Sequence, residues 1–156
     1  MIAGRRKALK SGAGLGALGA LMAAGMIRPG DLLAQDWKAA FETKSVTDTV
    51  KALGGTAAAA ESKDITITAP DIAENGAVVP VSVASAIPKT ESIAILIEKN
   101  PNLLAASFAI PAGTEPSVGT RVKMSQTSNV YAVVKADGKF FMAGKEIKVT
   151  LGGCGG

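Results

Sequence analysis

The chain has 156 residues, of which 17 are basic, 13 acidic, 1 a cysteine and none a histidine, with 47% apolar and 19% charged positions. That length closes one modest core, and the composition matches neither a disordered chain nor a nucleic-acid-binding tail. Without histidine there is no Ser-His-Asp triad, no Cys-His dyad and little basis for a zinc site, and one thiol makes neither an internal disulfide nor a Cys-rich metal cluster.

The charge is unevenly placed along the chain. Arg5, Arg6, Lys7, Lys10 and Arg28 fall in the first 34 residues against Asp31, which leaves 12 basic and 12 acidic side chains from Gln35 onward. The formal net charge of +4 therefore belongs to the N-terminal segment, and the rest of the chain lacks the basic excess that nucleic-acid binding needs. Residues 1–34 read as an export signal. Arg5-Arg6-Lys7-Ala8-Leu9-Lys10 is a twin-arginine core, followed over 12–27 by an apolar stretch rich in Gly, Ala, Leu and Met. Glycine makes that stretch weakly hydrophobic and a poor helix former, and it is shorter than the roughly 20 residues that span a bilayer. It suits a cleaved twin-arginine signal better than a membrane anchor. Ala34 before Gln35 suits cleavage at that position, but Leu32 occupies the −3 position where a small residue is usual, which leaves the exact cut open. Gly4 and Ala8 also depart from the fuller motif. The expected compartment is the periplasm, with no membrane association after cleavage. This export route accompanies folding, cofactor insertion or partner assembly before translocation. With no cofactor motif in the chain, export together with a partner is the expectation.

Residues 35–60 read as a helical N-terminal segment. Trp37, Ala40 and Phe41 fall at i, i+3 and i+4; Ser45 offers an N-cap with Asp48 three residues on, ahead of Val50 and Leu53; and Gly54-Gly55 provides a C-terminal stop. The alanine run over 57–60 suits a linker or a further turn equally well. From Asp64 the period changes to two. Ile65 and Ile67 alternate with Thr66 and Thr68, and Val79, Val81 and Val83 alternate with Pro80, Ser82 and Ala84. Pro80 predicts an edge strand or a bulge. Ile93-Ala94-Ile95-Leu96-Ile97 is a buried run, and a strand over 103–110 follows the turn Asn100-Pro101-Asn102. Strands over 121–126, 129–136 and 140–151 complete the series, with Asp137-Gly138 as a hairpin turn between the last two. The sum is an all-β domain over 61–151, an immunoglobulin-like antiparallel β-sandwich of about seven strands behind short N-terminal helices. Its polar residues alternate as a solvated sheet face does, while Lys123, Lys145 and Lys148 are candidates for a basic rim near an anionic substrate.

Residues 152–156 form a distinct terminal arm, Gly152-Gly153-Cys154-Gly155-Gly156. Glycine has the widest backbone freedom and no side chain, so four of them around the only thiol make a thin tether able to pass down a narrow channel. At about 3.3–3.6 Å per residue the sulfur reaches about 15 Å beyond the sheet. Free cysteines are usually buried, yet nothing apolar follows Leu151 to bury this one. A disulfide to a second chain is the bland alternative, since an odd cysteine in an exported protein can pair between molecules.

The twin-arginine leader, the β-rich domain and the terminal Gly-Gly-Cys-Gly-Gly together resemble the SoxY family, the sulfur-carrier subunits of the bacterial Sox thiosulfate-oxidising system. The resemblance extends to Trp37-Lys38-Ala39-Ala40-Phe41 and Thr47-Asp48-Thr49-Val50-Lys51-Ala52-Leu53-Gly54. It implies that Cys154 is the attachment point for covalent sulfur adducts, S-thiosulfonate and persulfide, and that Gly152, Gly153, Gly155 and Gly156 form the carrier arm. It also implies a heterodimer with SoxZ on a separate polypeptide, and transient visits to SoxXA, SoxB and, where present, SoxCD. No catalytic residue, metal or intrinsic cofactor is implied within the chain. Two other readings compete. A ubiquitin-like carrier would use the final Gly155-Gly156 as a thiocarboxylate, but needs ATP outside the inner membrane and a fold other than this β-rich one. An exported β-sandwich interaction module would use Cys154 only to link chains.

Overall fold

A computed structural model of the protein describes residues 37–56 and 58–150; the expected signal segment 1–34 and the expected arm 152–156 lie outside the described residues. In chain order the elements are α1 (Trp37–Glu42), α2 (Val46–Ala52), β1 (Ala60–Glu61), β2 (Ile65–Thr68), β3 (Ile72–Ala73), β4 (Val79–Ser85), β5 (Thr90–Ile97), β6 (Leu104–Ala109), β7 (Ser117–Val122), β8 (Ser128–Ala136) and β9 (Lys139–Val149).

Local chemistry sets the two helices. Ser45 stands extended at φ −135° and ψ 152°, and its Oγ accepts the Asp48 amide at 3.1 Å, while Ser45 Oγ donates to Asp48 Oδ2 at 2.7 Å. One of the orphan amides of the first turn is thereby satisfied, and a carboxylate sits at the positive end of α2. The helix ends in a Schellman turn. Gly54 takes φ +95°, the Gly54 amide donates to Lys51 O at 2.9 Å and the Gly55 amide to Val50 O at 2.8 Å. The second glycine is required for a different reason: a Cβ on Gly55 would sit 2.6 Å from Val50 Cγ1 and 3.1 Å from Phe140 Cδ2.

The strands form two stacked sheets. The larger has the order β1-β9-β8-β5-β6, with β3 also paired to β9, and the smaller has the order β2-β4-β7. Alternation decides which side chains meet between them. Val79, Val81 and Val83 from β4 face Ile93, Ile95 and Ile97 from β5 and Val130, Ala132 and Val134 from β8, all at most 1% exposed. The other face of β5 and β8 is buried too. Ala94, Leu96 and Val133 pack with Ala40, Val50 and Leu53 from the helical segment. Burial on both faces explains why 93–97 is an unbroken apolar run, as a central strand between two layers must be. The helices thus form a third layer on the outside of the large sheet.

The sandwich and its seven main strands agree with the sequence reading, and three details differ. Two-residue strands β1 and β3, too short to show a period, pair parallel with β9 at Ala60↔Phe141 and Ile72↔Lys148. The strand expected over 121–126 runs instead over Ser117–Val122, because Val118, Thr120 and Val122 face inward while Ser117, Gly119 and Arg121 are exposed. With Gly and Thr inside it, that strand has too little apolar contrast to stand out. Finally, Pro80 lies in β4, the middle strand of the small sheet. β2 pairs β4 only over Ser82–Ser85, so Pro80 faces β7 alone, across from Arg121, and its missing N–H disrupts no ladder on the other side. The Asp137-Gly138 turn has φ +50° and +73°, a type I′ turn joining Ala136 to Lys139, as the sequence predicts.

Because Ile95 is fully buried in the inter-sheet core, Ile95→Ala should lower the unfolding free energy by about 2–5 kcal/mol. Ser45→Ala should cost only about 1 kcal/mol. Urea unfolding monitored by circular dichroism measures both, and the two losses should add, since the cap and the inter-sheet core share no contact.

Candidate functional site

The structure supplies the mount on which the proposed arm is carried. Cys154 and Gly152, Gly153, Gly155 and Gly156 lie outside the described residues, but the chain leading to them is described as far as Thr150. Three loops gather at that end of the sandwich: 74–78 between β3 and β4, 98–103 between β5 and β6, and 123–127 between β7 and β8.

β9 is held on both edges to its last residue. On one side Lys148 N donates to Asp71 O at 2.9 Å and Thr150 N to Ala73 O at 3.1 Å. On the other, Val149 N donates to Thr127 Oγ1 at 2.9 Å. Successive strand amides point to opposite edges, so holding three consecutive amides needs a partner on each side, and β3 with Thr127 provides it. Below them, Gly76 N lies in a loop turned by Asn75, whose Oδ1 accepts the Ala77 amide at 2.9 Å. The Gly76 carbonyl accepts the Met124 amide at 2.7 Å. A Cβ at Gly76 would lie 2.4 Å from Met124 O and 2.8 Å from Val149 Cγ1. Only glycine lets the 74–78 loop, the 123–127 loop and the end of β9 close together.

The remaining loop is tied in by polar side chains. Lys99 N donates to the buried Ser128 Oγ at 3.0 Å, Asn100 Nδ2 donates to Lys123 O at 2.7 Å, and Ser125 N donates to Asn100 Oδ1 at 3.3 Å. Asn100 therefore acts as a double-ended clasp between two loops, a role invisible in sequence beyond the Asn-Pro-Asn turn.

The expected basic rim of Lys123, Lys145 and Lys148 is not formed as one group. Lys145 lies on the inward-facing side of β9, in step with Ala143 and Ile147, and its Nζ pairs with Asp71 Oδ1 at 3.0 Å and donates to Ala69 O at 2.6 Å. It fastens the segment before β3 and is spoken for. The strand period carried this signal, since a lysine at an inward position of a strand must reach out to a partner. Lys123 and Lys148 are exposed. Arg121 and Lys99, which the sequence reading did not single out, stand exposed near Lys123. Among the described residues no group of three or more His, Cys, Asp or Glu gathers as metal ligands would. What this end of the domain can do is hold a chain terminus in place and present a surface around it.

Comparison with known proteins bears on what that terminus is for. The family profile of SoxY, sulfur oxidation protein SoxY, matches residues 50–154, a span that begins in α2 and ends on the cysteine. Among solved structures, the fold is similar to the sulfur carrier protein SoxY from Chlorobium limicola f thiosulfatophilum. The two share 40% identity and a TM-score of 0.61, over 70% of this chain and 100% of that one. A superoxide reductase (neelaredoxin) from Ignicoccus hospitalis matches at 23% identity and a TM-score of 0.49, over 55% of this chain and 79% of that one. No curated protein matches the chain in sequence.

The close approach at Gly76 gives a local test of the mount. Gly76→Ala forces the loop off Met124 and Val149, at a cost of about 1–3 kcal/mol. Hydrogen exchange should quicken first at the amides of Met124, Val149 and Thr150, while those of Ile95 and Val133 keep their protection. Uniform loss of protection would mean that the glycine serves the whole fold and not this end.

Proposed function

The chain belongs to the SoxY family of sulfur oxidation proteins, and from that premise we propose that it carries sulfur covalently on Cys154 while partner enzymes oxidise it to sulfate. The observation that carries this reading is the family match through to Cys154, the single thiol of the chain. Its root four residues earlier, at Thr150, is fastened to Ala73. Four extended residues reach about 13 Å, enough for a glycine arm of 152–156 to deliver the sulfur into a recessed active site while the sandwich stays outside.

In this reading the chain is substrate carrier and not catalyst. The Cys154 thiolate joins the outer sulfur of thiosulfate, forming one S–S bond, and the two electrons released pass to the heme enzyme SoxXA. The product is cysteine S-thiosulfonate. Water then attacks the terminal sulfonate in the hydrolase SoxB, sulfate leaves, and a persulfide stays on Cys154. Where SoxCD is present, it removes six electrons from the outer sulfur, whose three new oxygens come from water. A second hydrolysis returns the thiol and releases another sulfate. Covalent attachment keeps the intermediate at high effective concentration for each enzyme in turn. The arm carries no charged side chain, so the groups that act on the thiol come from the partner's active site. Residues 1–34 act as the twin-arginine signal that takes the mature domain to the periplasm, together with SoxZ, its partner in a heterodimer. The exposed apolar side chains Ile72 and Val78 are available to such a partner.

Cys154→Ser should leave melting temperature and SoxZ binding unchanged and abolish thiosulfate-dependent electron release in a reconstituted system, because a hydroxyl forms no S–S bond. Intact mass of the wild-type protein should show sulfur adducts confined to Cys154. Wild-type activity in the serine variant, or a native protein found only as an unmodified homodisulfide, would instead favour an interaction module. In Gly152→Pro/Gly153→Pro the thiol persists but φ is fixed near −65° at both positions. Maleimide labelling should stay near the wild-type rate while enzymatic loading falls steeply.

A further inference from the structure

At the end of the sandwich that carries Thr150, Glu74 stands in the 74–78 loop, while bases gather on the side of the 98–103 and 123–127 loops. Lys99 in the 98–103 loop, Arg121 at the end of β7 and Lys123 just beyond it are all exposed. The three ion pairs among the described residues involve Lys89, Lys135 and Lys145, so no described carboxylate lies within 4.0 Å of any of these cations. Glu98, next to Lys99 in the chain, is engaged by Asn129 Nδ2 at 2.9 Å. Arg121 and Lys123 line an open cleft of about 380 Å³ between the edges of β6 and β7, together with Asn100 and Asn102, and no Asp or Glu lines it. The Asn100 clasp fixes the Lys99 and Lys123 loops to each other. The imbalance is also written in the chain: residues 99–136 hold Lys99, Arg121, Lys123 and Lys135 against Glu115 alone. A domain with equal numbers of acids and bases has thus gathered unpaired bases at one place.

That place adjoins the root of the arm. Lys123 precedes Met124, whose carbonyl crowds Gly76, and Gly76 in turn crowds Val149. Anything that receives a thiol four residues beyond Thr150 must approach this end of the domain. We propose that Lys99, Arg121 and Lys123 form the docking surface for an acidic protein face, the rim of the enzyme channel that the arm enters. The proposal rests on the carrier reading above and adds to it how the arm finds its enzymes. The patch suits a protein face better than a small oxyanion. All three side chains are exposed, Arg121 and Lys123 on an open cleft and Lys99 on the loop beside it, and an isolated anion gains little from solvated, unconverged cations, whereas an extended acidic face meets all of them at once. Exposed charge of this kind speeds encounter without slowing release, as a carrier that must leave each enzyme requires.

The test uses the mature chain as its heterodimer and the purified thiosulfate-oxidising heme enzyme, with loading of Cys154 read by intact mass. Three proteins are compared: wild type, Lys99→Glu/Arg121→Glu/Lys123→Glu, and Lys51→Glu/Lys63→Glu/Lys139→Glu, which has the same net charge change at exposed positions outside the patch. At low ionic strength the patch variant should lose about tenfold or more in kcat/KM for the carrier. The loss should lie in KM and shrink as salt rises, while kcat, the KM for thiosulfate and maleimide labelling of Cys154 stay unchanged and the control variant loads nearly as wild type. Equal losses in both variants would reduce the effect to net charge and overturn the patch. A loss confined to the KM for thiosulfate would make it a small-anion site and overturn protein docking. Wild type that never loads would sink the carrier reading itself, and the docking role with it.

Discussion

The functional end of this protein depends on β9 being held on both edges up to its final residue. A strand at the margin of a sheet normally frays at its tip, because half its backbone groups face water and the last side chains bury little. Here β3 lies along one edge and the Thr127 side chain reaches the other, so the amides of Lys148 and Thr150 donate to backbone carbonyls and that of Val149 to Thr127 Oγ1. The close approach of Gly76 lets the neighbouring loops seal beneath them. A tether transmits position only if its fixed end is fixed. The carrier arm proposed above would lose its aim if the boundary at the end of the strand wandered by several residues.

The rest of the architecture serves that boundary by making the sheet behind it rigid. β5 and β8 are covered on both faces, by the small sheet on one side and the helical segment on the other. β9 inherits that rigidity through a continuous antiparallel ladder with β8 from Ser128↔Ile147 to Ala136↔Lys139. Gly144 lies directly across from Tyr131, where a Cβ would come within 2.9 Å of the ring, so the aromatic lies over the strand and closes the gap that the glycine leaves. The domain contributes stiffness, a mount and a charged surface, and its reactive chemistry is limited to one thiol. In the carrier role proposed above, that division would leave electron transfer, metal and general base to the enzymes that act on the thiol.

Much of this was legible in the sequence, where the signal was local. The cap at Ser45, the Gly54-Gly55 stop, the Asp137-Gly138 turn and the buried run at 93–97 each follow from chemistry within a few residues, and each stands where expected. The carrier reading of 152–156 lies outside the described residues and stands as a proposal. Strand β7 was displaced because Thr and Gly blur the period. β1 and β3 escaped notice because two residues have no period at all.

What the sequence alone determined was a β-sandwich behind short N-terminal helices and a single cysteine in the chain. Only the tertiary structure decided that Pro80 could sit in a central strand, because β2 ends before reaching it. Only the tertiary structure separated Lys145, consumed by Asp71, from Lys123, left free beside Arg121 and Lys99. These outcomes share one physical reason. Hydrogen-bond supply at a strand edge and the pairing of a surface charge depend on which residues lie opposite, and strand order and loop packing set that across distances of 20 to 80 residues, beyond the reach of any local pattern.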